Sequence, residues 1–343
     1  MRKLCGFAFV LTLIVVVLGA WTRLTDAGLG CPDWPGCYGF HYVPATPGEH
    51  ALAAERFPAA PLEVTKARNE MIHRYAAGTL GLTILLMALC SFKCVYRSYR
   101  WPVLILLVLV LVQATLGMLT VTLNLMPFVV MGHLLGGFTI LSLLFWLWCR
   151  HRAYSGPRPE VGGLAGVFRL ALAALILQIA LGGWTAANYA AMACTELPVC
   201  QGDWLGQWQW SAFHPHGMPA ETYQYGVLSQ QERATIHAAH RLWAVFTAGI
   251  LLTLAWRLNG RPGLRGFGRA IGLMVLLQLA LGVANVMLHL PLWVAVAHNG
   301  GAAVLLLMLT GTGERLGRFR EAKWQEAWHC PQREYESGGT ISH

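Results

Sequence analysis

Charged side chains are scarce in this chain of 343 residues, in which Asp, Glu, Lys and Arg together make up 12%. Hydrophobic residues make up 56%, and the mean hydropathy is +0.49. A soluble domain of this length needs far more charge to cover its surface. The composition therefore excludes an ordinary soluble globular protein and indicates an integral membrane protein whose main surroundings are the lipid bilayer.

Polar interruptions are also few, so the apolar runs are long enough to cross ~30 Å of hydrocarbon as helices. We predict an all-α integral membrane protein with eight transmembrane helices. They lie near residues 4–24, 70–93, 102–125, 128–149, 164–188, 233–257, 268–289 and 292–312.

Basic residues are rare on one side of the predicted membrane, which carries seven of the 25 Lys and Arg residues. The seven are Arg23, Arg56, Lys66, Arg68, Arg74, Arg233 and Arg241. Because cytoplasmic loops are the basic ones, we expect cytoplasmic N- and C-termini. The net charge of +9 then reflects topology and requires no nucleic acid partner. An Arg- and Ser-rich transit sequence is also lacking, which favours a bacterial inner membrane.

Sequence landmarks recur in the second half of the chain at a nearly constant offset. Trp21 and Cys31 recur as Trp184 and Cys194 at one common offset, and Gln113 recurs as Gln278 at a slightly longer one. Such a long period indicates two copies of one domain. We therefore predict two tandem four-helix bundles, residues 1–155 and 156–343, related by a pseudo-two-fold axis along the membrane normal.

Each predicted bundle contains one histidine pair within its apolar helices. The pairs are His73 with His133 and His240 with His298. Each even-numbered span thus presents one imidazole at a similar depth near its outer end, which is the geometry of two axial haem ligands between helices. Ionisable groups inside a bilayer are costly and usually functional. The alternative is that these histidines only hydrogen-bond neighbouring helices.

Residues beside the histidines make the two predicted haem sites unequal. Arg74 and Arg241 follow the first histidine of each pair, where they could bind haem propionates. Glu70 precedes His73 by three residues, whereas the aligned position in the second half is His237. Glu70 is a candidate general acid or base, or a stabiliser of a developing cation, unless it only faces lipid headgroups. His237 is a spare ligand, a partner of a ligand or a packing residue.

Two cysteine pairs lie in the predicted outer loops, in CPDWPGC and CTELPVC. They are Cys31 with Cys37 and Cys194 with Cys200. An oxidising compartment favours disulfides there. A redox-active thiol pair that exchanges electrons with a partner, or free thiols, are the alternatives.

The chain resembles the haem A synthase family, membrane enzymes of cytochrome oxidase cofactor maturation. The resemblance covers nearly all of the chain except the loops and the tail. It rests on GAWTRLTDAGLGCPDWPGC, NEMIHR, QATLGMLTVTLNLMPFVVMGHLLGG, ALGGWTAANYAAMACTELPVC, HAAHR and QLALGVANVMLHLPLWVAVAHNGGA.

The resemblance implies a reaction, a cofactor and partners. The C8 methyl group of haem O is oxidised to a formyl group with oxygen from water, which gives haem A. A haem O synthase, which is a prenyltransferase, and cytochrome oxidase assembly proteins are the implied partners. The haem sites are expected toward the outer, periplasmic side.

The resemblance also assigns roles to residues. The cofactor haem b is expected on His240 and His298, and the substrate haem beside His73 and His133. The essential glutamate of the family corresponds to Glu70. The family's loop disulfides correspond to Cys31–Cys37 and Cys194–Cys200.

Two other functional classes share some of these features. A di-haem electron-transfer protein also needs histidine pairs, but the four predicted ligands lie near one membrane face, which argues against transfer across the bilayer. A haem transporter or assembly chaperone would bind haem without changing it. Glu70, present at one site only, argues mildly against that class.

Overall fold

The computed structural model describes residues 1–150, 163–198, 200–214 and 220–317. Within these ranges the protein is all-α, with no β-strand. Its helices are α1 (Arg2–Leu24), α2 (Pro47–Arg56), α3 (Val64–Ser91), α4 (Arg100–Thr122), α5 (Pro127–Arg150), α6 (Leu164–Ala187), α7 (Gln230–Asn259), α8 (Arg265–Met287) and α9 (Leu292–Gly317). The predicted boundary between the halves, at 155 and 156, and the predicted cytoplasmic tail lie outside the described residues.

Eight of these helices are long and apolar enough to cross a membrane, and only the short α2 is not. The prediction of an all-α protein with eight membrane-spanning helices is therefore confirmed. Several helices begin earlier than predicted; α3, for example, begins at Val64 rather than at 70, and α7 begins at Gln230 rather than at 233. Their first turns are polar, and a hydropathy criterion detects only the apolar part of such helices.

The start of α7 shows why the polar residues before the apolar segment are already helical. The Ser229 hydroxyl accepts a hydrogen bond from the Glu232 N–H at 3.3 Å, and the Glu232 carboxylate accepts one from the Ser229 N–H at 2.9 Å. This reciprocal capping box satisfies two backbone donors that a helix start leaves free. The helix thus extends beyond the apolar segment on which it was predicted.

Helix α2, which was not predicted, lies in the loop between α1 and α3. Thr46 and Glu49 form a capping box around its first turn, and Pro47 stands at its first position, where the missing proline N–H costs nothing. Its buried Ala53 packs in one cluster with Tyr38 and the loop cysteines. The helix therefore covers the first disulfide loop.

The same pattern of neighbours occurs in both halves. Helix α1 packs on α3 and α5, and α4 packs on the same two helices. Likewise α6 packs on α7 and α9, and α8 packs on those two. Each set of four thus closes into a bundle. The pseudo-two-fold axis between the bundles stays a prediction.

The two bundles share a hydrophobic core. Helix α5 packs against α6 and α9, and α1 packs against α9. Phe138 and Leu141 of α5 belong to the same buried cluster as Leu175 of α6, Leu251 of α7 and Ile271 of α8. The halves are therefore joined by buried apolar surface as well as by the chain.

Candidate functional site

The four predicted ligand histidines lie on α3, α5, α7 and α9, and each imidazole packs against a glycine of the preceding membrane-spanning helix. The pairs are Gly19 with His73, Gly117 with His133, Gly182 with His240 and Gly282 with His298. A Cβ atom on these glycines would lie 3.1, 3.3, 3.2 and 3.5 Å from the imidazole Cε1. A glycine at each place lets the ring approach the helix backbone closely.

The two imidazoles of the first half face each other. The ring centroids of His73 and His133 are 6.4 Å apart, and the ring planes are at 81°. An imidazole nitrogen binds a first-row metal at about 2 Å, so imidazoles on opposite sides of one ion have centroids about 6 Å apart. The Nδ1 atoms of both rings are buried and, among the described residues, have no side-chain hydrogen-bond partner. This pair fits the two axial positions of one haem iron.

The two imidazoles of the second half differ from each other in their side-chain hydrogen bonding. His298 Nδ1 is again buried without a side-chain hydrogen-bond partner in the described part of the chain. In contrast, His240 has the side-chain amide nitrogen of Gln178 at 3.2 Å from Nδ1 and 3.4 Å from Nε2. One of the predicted ligand histidines in the second half therefore has a side-chain neighbour at its ring nitrogens.

Bare metal ions are a poor fit to these sites. Over the described residues, no group of three or more His, Cys, Asp or Glu side chains is arranged to hold a metal ion. Zinc sites use three or four protein ligands, whereas a haem iron needs only axial ones because the macrocycle supplies the rest. Two imidazoles per bundle therefore match haem better than a free ion.

Glu70 is buried on α3, one turn before His73, and it contacts the first disulfide loop. One carboxylate oxygen accepts a hydrogen bond from the Cys31 N–H at 2.8 Å, and the other pairs with Arg74 at 2.5 Å. The Arg74 guanidinium also donates to the carbonyl of Asp33 at 2.9 Å and to that of Gly36. Glu70 and Arg74 together attach the loop to α3.

His237 has the position of Glu70 in the second half. The Cys194 N–H lies 3.4 Å from its Nδ1, and Arg241 Nε lies 3.2 Å from its Nε2. Arg241 also donates to the carbonyls of Cys194 and Glu196. A neutral imidazole accepts only one hydrogen bond, so this ring holds either the loop or the arginine at a given moment. The second loop is thus attached to α7 in the same way, without a carboxylate.

Both predicted disulfides are present. The Cα atoms of Cys31 and Cys37 are 4.8 Å apart, and those of Cys194 and Cys200 are 4.9 Å apart. The bonded loops lie on the helices that carry His73 and His240. The alternative of free thiols does not hold for these four residues.

Arg74 and Arg241 were predicted to bind haem propionates, and the structure shows other partners for them. Their guanidinium groups donate to loop carbonyls and to Glu70 or His237. The sequence pattern could not reveal this, because the carbonyl groups come from loops that are distant along the chain. Their binding of propionates stays a prediction.

Comparison with known proteins adds the family. The sequence model of the family described as cytochrome oxidase assembly protein, COX15-CtaA, matches residues 2–310. The chain belongs to this family. A relative from Shewanella oneidensis named Heme A synthase is 47% identical over 313 residues, which cover 89% of this chain and 93% of the relative.

More distant relatives cover a similar share of the chain. Heme A synthase of Sphingopyxis alaskensis is 27% identical over 90% of this chain and 89% of its own length. Heme A synthase COX15 of Arabidopsis thaliana is 26% identical over 86% of this chain and 70% of its own length. The likeness therefore extends over most of both bundles.

Sequence reasoning missed the four glycines and Gln178 as parts of the site. The glycines had a usable signal, since Gly19 and Gly182 are related by the same offset as Trp21 and Trp184. Gly117 and Gly282 are likewise related by the offset of Gln113 and Gln278. Gln178 had no such signal, because it is a residue in which the halves differ.

Proposed function

We propose that this protein is a haem A synthase, an oxidoreductase that converts haem O to haem A. Family membership and the 47% identical relative of that name support the proposal. The structural observation that carries it is that the two histidine pairs have equivalent positions in the two halves but different neighbouring side chains. A buried carboxylate, Glu70, lies one turn from His73, whereas His237 lies one turn from His240. One site is thereby suited to chemistry and the other to a resident cofactor.

The reaction oxidises the C8 methyl group of haem O to a formyl group. One water molecule supplies the oxygen, and four electrons and four protons leave for each methyl group converted. A haem b held by His240 and His298 in the second half would supply the one-electron redox chemistry that this oxidation needs. The final electron acceptor is a separate oxidant.

The residues of this chain bind and orient both haems. His240 and His298 hold haem b, and His73 and His133 hold the substrate. Both oxygens of Glu70 already accept hydrogen bonds, from Cys31 and Arg74. We therefore assign to Glu70 the stabilisation of positive charge that develops near the substrate methyl group, and the transfer of a proton only when one of these contacts opens.

The proposed setting is the inner membrane of a bacterium, with both termini cytoplasmic. The distribution of Lys and Arg supports this orientation. It places the disulfide loops, and the haem sites beneath them, on the periplasmic side. A prenyltransferase that makes haem O, and cytochrome oxidase assembly proteins, are the proposed partners.

The decisive experiment is co-expression of the chain with a source of haem O, followed by extraction and mass analysis of the haems. A synthase yields a haem heavier by one oxygen atom and lighter by two hydrogen atoms. Growth in ¹⁸O-labelled water should place the label in that oxygen. Unchanged haem O beside bound haem b would overturn the proposal and leave an electron-transfer or haem-carrier function. The matched control is the His240→Ala variant, which should make no haem A.

A further inference from the structure

The side chain of Gln178 distinguishes the second haem site from the first. Gln178 lies on α6, one turn before Gly182, so both residues face His240. Its amide nitrogen is 3.2 Å from His240 Nδ1, and its Oε1 is buried without a hydrogen-bond partner among the described residues. A flip of the amide, which exchanges its nitrogen and oxygen, would bring Oε1 to the ring, where it accepts a hydrogen bond from an Nδ1–H.

The matching position in the first half is Val15. The offset that relates Gly19 to Gly182 also relates Val15 to Gln178. A valine side chain has no hydrogen-bonding group, so position 15 offers His73 only its backbone carbonyl. The first site therefore has no side chain that orients this imidazole.

The other two ligands do not receive this support either. Gln113 and Gln278 stand one turn before Gly117 and Gly282, as Gln178 does before Gly182. Their amide groups, however, lie against Gly136 and Gly301. Among the four histidines, His240 alone has a described side-chain partner for its ring nitrogens.

A hydrogen bond to the second ring nitrogen decides how firmly an imidazole binds a metal. It fixes the tautomer and the ring orientation, and an acceptor raises the basicity of the ligand. Loss of such a partner typically lowers metal affinity about 10- to 100-fold. A resident cofactor needs this support, whereas a substrate that must leave after each turnover does not.

We propose that Gln178 is a positioning residue that makes His240 a permanent haem ligand, and that Val15 keeps His73 exchangeable. This assignment rests on the proposed function, because it identifies the second site with the cofactor and the first with the substrate. The difference between retained cofactor and released substrate then resides in one aligned pair of side chains.

The test compares the rate of haem loss from the purified full-length protein with the rates from its Gln178→Val and Val15→Gln variants. Holoprotein is loaded with haem O and mixed with excess apomyoglobin as the acceptor, and the haem left on the protein is separated by chromatography. Because haem b and haem O differ in mass, each site is followed separately. Gln178→Val should release haem b about 10- to 100-fold faster, and Val15→Gln should release haem O more slowly.

The matched control is Gln278→Val, which removes a glutamine side chain that lies against Gly301 and makes no hydrogen bond to His298. Haem b loss from this variant should stay within about twofold of wild type. Equal acceleration by Gln178→Val and Gln278→Val would overturn the proposal, because packing would then explain both. Unchanged haem b loss in Gln178→Val would overturn it as well.

The midpoint potential of haem b distinguishes the two possible roles of the Gln178 side chain, which are a hydrogen bond to His240 and packing. A stronger acceptor on His240 stabilises ferric iron, so the potential should rise in Gln178→Val and fall in Gln178→Glu. Shifts in the same direction in both variants would contradict the assignment. These measurements need only bound haem b, so a chain that fails to oxidise haem O can still confirm the role of Gln178.

Discussion

Glu70 and His237 occupy equivalent positions, yet only one of them is a carboxylate. Each lies beneath the backbone N–H of the first cysteine in a disulfide loop, and each contacts the arginine one turn later. Loop attachment therefore does not require a carboxylate, since His237 serves in the second half. Loop attachment alone therefore does not explain the buried glutamate in the first half. The proposed stabilisation of positive charge does explain it.

Replacement of Glu70 by Gln tests this reasoning. The amide still accepts a hydrogen bond from Cys31, but the negative charge is lost. Loss of one electrostatic contact to a transition state typically costs about 10²- to 10³-fold in rate. We expect haem O or a hydroxylated intermediate to accumulate while haem b remains bound, as measured by mass analysis of extracted haems.

The control for that variant is Glu63→Gln, since Glu63 is an exposed carboxylate just before α3. It should leave haem A output unchanged. Normal haem A output from Glu70→Gln would refute the role of the charge. Glu70→His copies the second half and should keep the loop attached without restoring activity.

Gly182 is a second residue whose role can be tested, in this case by a substitution that adds only a Cβ atom. A Cβ at this position would lie 3.2 Å from His240 Cε1, so the ring must move by a few tenths of an ångström. We expect Gly182→Ala to lower the haem b content of the purified protein, read from its absorption spectrum. Gly166→Ala on the same helix meets no atom within 4 Å and should retain full haem. Equal haem content in both variants would show that the close approach is unimportant.

At the scale of elements, apolar length predicted the eight membrane-spanning helices, and polar capping residues set where some of them begin. Thr46, Pro47 and Glu49 form a recognisable helix start in the sequence, so α2 could have been predicted from it. The attachment of the disulfide loops could not, because it depends on backbone carbonyls brought to Arg74 by the folded loop. Helix-capping residues can therefore be recognised in the sequence, whereas contacts between a loop and a helix can be recognised only when the fold is known.

The cap of α2 predicts a pH dependence for that helix. Hydrogen bonds from the Ala45 and Thr46 N–H groups and from the Tyr42 hydroxyl lower the pKa of Glu49 from 4.5 to about 2. A lowered pKa means that the cap stabilises the helix above pH 4.5 and that this contribution is lost as the pH falls toward 2. Amide hydrogen exchange, corrected for its intrinsic pH dependence, should show the first turn of α2 losing protection across this range.

A substitution reproduces the same effect at neutral pH. Glu49→Ala removes the acceptor for both backbone donors and should expose the first turn of α2 to exchange at pH 7. Glu55→Ala, an exposed residue of the same helix, is the control and should not. Protection that survives in Glu49→Ala would show that the cap does not hold this helix.

At the scale of the molecule, the duplication predicted two bundles, and the structure shows how far they depend on each other. The repeated residues revealed which helices and histidines correspond. They could not reveal the shared core, because residues such as Phe138 and Leu251 look like ordinary lipid-facing positions in the sequence. Burial between helices and exposure to lipid select the same apolar side chains.

Contacts at one end of α1 also join the bundles. Arg23 donates to the carbonyl of Ala186, and its guanidinium carbon lies 3.9 Å from the centroid of the Tyr189 ring. The ring centroids of Trp21 and Trp293 are 4.9 Å apart. A hydrogen bond from a charged donor contributes about 1.5–3 kcal/mol, and a cation–π contact about 0.5–2 kcal/mol. These contacts therefore supplement the apolar core between the halves.

A chain expressed as two fragments, 1–155 and 156–343, tests this dependence, since the break leaves every described helix intact. Because α5 packs against α6 and α9, we expect the fragments to co-purify from detergent as one complex that binds haem b. Arg23→Ala should lower the thermal midpoint of that complex and the yield of the co-purified partner. Arg68→Ala removes an exposed arginine of α3 and should change neither. Independent purification of two stable fragments would show that each bundle folds without the other. The shared core would then be only an interface between two independently folded domains.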